Sequence, residues 1–189
     1  MKKKPGIILL TGSYILMILV MFLLPFSIPD YSIVSNTPGD MGAQSSPNAW
    51  IVNLTFICLA TGAMITGWSY FEGYAFHRSI LVISGISLVL SALLNHAPLD
   101  NQISYNVTES GLHEYFSCSA VFSFTMLSIA TGFILEKQFN KLLASISGLS
   151  ATVLLIMTSE SDHMAGVWSR LMIIISVGWM IYCFGTNEI

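Results

Sequence analysis

Six apolar runs alternate with short polar stretches along this chain, at about residues 6–28, 50–71, 79–95, 112–135, 142–158 and 165–184. Each is close to the roughly 20 residues a helix needs to cross a ~30 Å hydrocarbon core. Between the first two lies a polar segment, 29–49, rich in Asp, Ser, Asn, Pro and Gly, residues that favour turns. The other connections are short, apart from a loop near 96–111. Lipid offers no partner to a backbone N–H or C=O, so an open chain crosses it as helices. The pattern predicts an all-α, polytopic six-transmembrane-helix bundle, with residues 1–189 forming one domain.

Composition agrees: 54% of the 189 residues are hydrophobic and 9% are charged, against about a quarter charged in an ordinary soluble domain. Charge placement adds an orientation. With six crossings, Lys2, Lys3, Lys4, Arg78, Lys137 and Lys141 fall on the amino-terminal side, and the opposite loops contain no Lys or Arg. That bias predicts both termini in the cytoplasm. The basic start and the long run after it read as a first span rather than a cleaved signal, since no Ala-x-Ala-like site follows. No basic tract suits nucleic acid and no phosphate loop is present. Cys58, Cys118 and Cys183 form no Cys-x-x-Cys pair and read as small core residues.

The same topology gathers imidazoles and acids at the extracytoplasmic face. His96 closes the third span, His113 opens the fourth and His163 opens the sixth. Three neutral imidazoles plus a water suit zinc in an open catalytic site. Asp40, Asp100, Glu114 or Asp162 is then the candidate general base or ligand-orienting group. Arg170 lies two helical turns after His163, on nearly the same face. There it is expected to grip an anionic group or to pair with Glu114 or Asp40. Ser84, Ser87, Ser91 and Asn95 form a polar stripe leading to His96. They read as glue between helices, with Ser91 or Ser117 as a candidate oxyanion donor. His77, beside Arg78, reads as a solvated residue of the cytoplasmic face.

Three functions fit these residues. The first is a zinc-dependent hydrolase acting on a lipid or amphiphile at the outer leaflet. The second is a non-catalytic binding, transport or accessory protein with a pH-sensitive outer patch. The third is a haem-binding electron carrier with His96 or His113 paired to His163. Substrate and oligomeric state are not encoded in any motif.

The segment Tyr31-Ser-Ile-Val-Ser-Asn-Thr-Pro-Gly-Asp-Met-Gly-Ala-Gln44, with Pro47-Asn-Ala-Trp50 after it, resembles the signature loop of domain-of-unknown-function family 998. The histidine opening the fourth span and Gly166-Val-Trp-Ser-Arg170 resemble its later motifs. The resemblance implies a six-span protein of a prokaryotic cytoplasmic (inner) membrane and no established activity. Gly39 stands where a serine is expected before the acid, and Ser169 where an acid is expected before Arg170. A looser analogy links Ser91, His96, Asp100, His113 and His163 to the residue types of alkaline ceramidases and adiponectin-receptor-like hydrolases. Such analogy carries no function by itself.

Overall fold

The computed structural model describes residues 5–100, 102–161 and 163–186; Lys2, Lys3, Lys4, Asp162 and Glu188 lie outside them. Six helices are long and apolar enough to span a membrane: α1 (Pro5–Leu23), α2 (Ala49–Tyr70), α3 (Ala75–Leu93), α4 (Val107–Ile134), α5 (Gln138–Glu160) and α6 (Ala165–Gly185). No strand occurs among the described residues.

Local chemistry sets the ends. Pro5 opens α1, where its missing N–H costs nothing, and Pro25 sits in the short 3-10 turn that stops it. Asn106 caps α4 by accepting from the Glu109 N–H at 3.2 Å, and the Glu109 carboxylate lies in the first turn, where the helix dipole favours an acid. These signals start α4 one turn before the apolar run begins.

Each helix packs on its sequence neighbours, and α1 closes the bundle against α6. The α1/α6 pair is antiparallel: Tyr14 donates to the Ile174 carbonyl, while Arg170 donates to that of Met21. One end of the bundle therefore carries the long connections 28–48 and 94–106 (the loop face). The other carries the tight turns near 71–74 and 135–137 (the turn face). Leu10, Met17, Leu59, Phe71, Leu127 and Phe184 fill the core. Ile8, Leu16, Phe133 and Leu149 project outward as a lipid-facing surface would.

Lipid removes the hydrophobic drive between helices, so close approach and polar contacts hold them together. The expected α3 stripe does this. Ser84 donates to the Ala120 carbonyl and Ser87 bonds Ser119 at 3.1 Å. Ser128 donates to Ala144, and Thr125 reaches Gly148 and Thr152. Such bonds average only about 0.6 kcal/mol each, so they align the helices more than they fix the loops.

Candidate functional site

The loop face is built by side chains that satisfy backbone groups. Thr37 and Asp40 close a reciprocal box: the Asp40 N–H donates to Thr37 Oγ1 and the Thr37 N–H donates to Asp40 Oδ2 at 2.7 Å. This is the capping-box device, here starting the short 3-10 turn Gly39–Gly42. It commits Oδ2 to the loop and leaves Oδ1 for other partners. Gln44 then ties this loop to the next. Its N–H donates to the His96 carbonyl, its amide Nε2 to Asn95 and Asn106, and its Oε1 accepts from the Asn106 N–H.

Arg170 pins the loop from the other side. It is 3% exposed, and a charge at that depth is costly. Its Nη1 donates to the carbonyls of Ile33, Asn36 and Gly166, each at 2.8 Å, and its Nη2 to the Tyr31 hydroxyl at 2.8 Å. The Tyr31 hydroxyl donates onward to Thr37 at 2.6 Å. Burial, opposed by the Arg170 charge and hydrogen bond and aided by the nearby Asp40 charge, leaves the Tyr31 phenol pushed up to about 12. Gly166 permits the approach, since a Cβ there would run into the carbonyls of Asn36, Ile33 and Val34. The Val167 N–H donates to Val34 at 3.2 Å. The two stretches singled out in the sequence, 31–44 and 166–170, are thus halves of one joint. No acid lies within ion-pair distance of Arg170 among the described residues; Asp40 and Glu114, expected to pair with it, lie beside His96. Backbone carbonyls hold its guanidinium instead.

The joint presents Asp40 to two imidazoles. His96 and His113 rings meet edge to face with centroids 5.4 Å apart. His96 Nδ1 lies 3.6 Å from Asp40 Oδ1, and its Nε2 lies 3.4 Å from Glu114 Oε1. His113 Nδ1 lies 2.7 Å from the carbonyls of both Ser91 and Leu94. Carbonyls only accept, so Nδ1 carries the hydrogen, and a neutral ring leaves its lone pair on Nε2. Those two carbonyls belong to the end of α3, where helices leave such groups unpaired; His113 caps them. A Cβ added at Gly39 would lie 3.7 Å from His113 Nε2, which places that nitrogen beside the 3-10 turn.

Of the other sequence candidates, Ser91 is buried and its hydroxyl bonds Leu88 of its own helix at 3.0 Å. Asp100 is exposed and accepts from the Gln102 N–H. His163 is exposed just before α6 and takes no part in the contacts joining Asp40, His96, His113 and Glu114. Among the described residues, no three His, Cys, Asp or Glu side chains are grouped to hold a metal ion. Sequence reading missed Gln44, Tyr31 and Gly166 as organisers of the site. Gln44 and Tyr31 fall within the recognised loop, but nothing in their spacing shows which backbone groups they serve.

A family model described as "Protein of unknown function (DUF998)" matches residues 12–184. The chain belongs to this family. No curated protein and no solved structure matches it. The match runs from within α1 to the last turn of α6 and includes the loop-face joint. With the bundle's apolar exterior, it makes this DUF998 member a multi-pass membrane protein.

Proposed function

We propose that this DUF998 protein is a non-catalytic binding or accessory protein whose loop face lies outside the cytoplasm. There it recognises the cationic head of a lipid or amphiphile. The carrying observation is the cluster itself: two carboxylates, Asp40 and Glu114, flank His96 at 3.6 and 3.4 Å. The two carboxylates give the cluster a net negative charge, which suits a cationic headgroup. The orientation rests on Arg78 and Lys141 at the turn face and on Lys2 to Lys4 in the sequence. The hydrolase reading draws less support, because Arg170 and Ser91 spend their donors on backbone carbonyls.

The test compares binding of a long-chain amine with that of the matching long-chain alcohol to purified protein. The amine is expected to bind more tightly. Asp40→Asn and Glu114→Gln are each expected to erase most of the preference. Equal binding of amine and alcohol contradicts the reading.

A zinc-dependent hydrolase is the second reading, favoured by one observation. A metal-binding imidazole commonly donates its other N–H to a carbonyl, and His113 does so twice while keeping Nε2 open. Stoichiometric zinc that disappears in His113→Ala supports it. Full metal content in that variant removes His113 from any ligand set.

A further inference from the structure

The turn face carries a second feature, unrelated to the histidine cluster. A groove of about 610 Å³ runs between α2 and α3, lined by Trp68, Arg78, Ser79, Val82 and Ile83. The α2–α3 link makes it by folding back sharply: the Tyr74 N–H donates to Phe71, and Gly73 adopts a φ of 87° that favours glycine. Arg78, in the first turn of α3, is thereby laid over the last turn of α2. Its Nε donates to the Trp68 carbonyl at 2.9 Å, and its guanidinium stacks over the indole at 4.7 Å. These contacts fix the cation without neutralising it. No carboxylate lies within ion-pair distance among the described residues, although Glu72 stands in the same link. The terminal guanidinium nitrogens have no protein hydrogen bond among those residues either.

The order of the lining decides what fits. Arg78 and the Ser79 hydroxyl sit at the helix end, and Val82 and Ile83 follow one turn deeper. Trp68 and Ile83 are about half exposed, at 50% and 53%, so the groove opens sideways where acyl chains lie. Fixed cation, hydroxyl, then apolar wall repeats the order phosphate, glycerol, acyl chain. Tryptophan beside arginine at a span end is also what the interfacial layer selects.

We infer that this groove seats an anionic phospholipid, with its phosphate on Arg78 and Ser79 and one acyl chain along Val82 and Ile83. The site is independent of the loop-face cluster. Native mass spectrometry of the purified full chain tests it, using phosphatidylglycerol and phosphatidylcholine with matched chains. The wild-type protein retains the anionic lipid preferentially. Arg78→Gln lowers that preference at least about tenfold, the weight of a charge-assisted hydrogen bond. Ser79→Asp, which leaves the Arg78–Trp68 contact in place, lowers it comparably and serves if Arg78→Gln does not fold. Lys141→Gln, a cation of the same face outside the groove, leaves it unchanged. Equal retention of the two lipids by the wild type overturns the proposal. So does an unchanged preference in Ser79→Asp, or a loss in Lys141→Gln as large as in the groove variants.

Discussion

His113 and His77 sit at opposite ends of the bundle, and the two ends use the same ring in opposite ways. His113 spends its Nδ1 hydrogen on two carbonyls and keeps Nε2 beside the Asp40 turn. His77 is 7% exposed and neither ring nitrogen has a partner. It stacks on Phe71 at 5.2 Å, with Tyr74 and Phe76 meeting its edge. His77 therefore packs as an aromatic, not as the solvated residue expected from its place beside Arg78. The arginines divide along the same line: Arg170 is buried under carbonyls of the long loop, whereas Arg78 makes one bond and borders a groove. Long connections must be held by polar bonds to the backbone, and tight turns are held by packing. The loop face is accordingly where single polar side chains carry structure.

Substitutions can break this contrast, and the largest effect is expected at Arg170. Arg170→Met removes the guanidinium donors from the carbonyls of Met21, Ile33, Asn36 and Gly166 and from the Tyr31 hydroxyl, and should cost roughly 3–5 kcal/mol, read as a fall in the thermal unfolding midpoint in detergent. His113→Phe should cost about 1–3 kcal/mol through the unpaired carbonyls of Ser91 and Leu94. His77→Phe removes two unpartnered nitrogens at similar shape, and should be neutral or stabilising by up to about 1 kcal/mol. Equal losses in the two phenylalanine variants would abolish the distinction between the ends.

Alkali sharpens the comparison further. The folded Tyr31 value of about 12 lies above the ordinary tyrosine value of 10.0, so its neutral hydroxyl contributes stability that is complete below pH 10. That contribution is lost as pH rises through about 12. Phenolate absorbance should show a late-titrating component near pH 12 that disappears in Tyr31→Phe. The smallest effect is expected for Gly39→Ser. Its Cβ would meet Thr37 Oγ1 at 3.4 Å and His113 Nε2 at 3.7 Å, so the change should fall within about 0.5 kcal/mol. It would bring a hydroxyl beside the open imidazole nitrogen, and the His113 side-chain NMR shift would report it.

Much of this was legible in the residues themselves. Apolar runs separated by turn formers mark the six helices, because lipid admits few alternatives. The nearness of His96 and His113 follows from an antiparallel pair joined by one loop. The partners of Arg170 were not legible, since a buried guanidinium satisfied by main-chain oxygens leaves no acidic residue in the sequence to mark it. For the same reason His77 looked solvated: its burial depends on Phe71 folding back across the turn, which the neighbouring Arg78 does not disclose.

Hydrogen exchange on Arg170→Met, or on Gly166→Ala should that variant be too unstable, tests the joint between loop and α6 most directly. The expected result is lost protection at the amides of Asn36, Asp40, Gln44 and Val167, each bonded within or across the joint, while Phe71 and Tyr74 at the far face keep theirs. Unchanged protection at Asn36 and Gln44, or equal loss at both faces, would contradict a loop face assembled around this arginine.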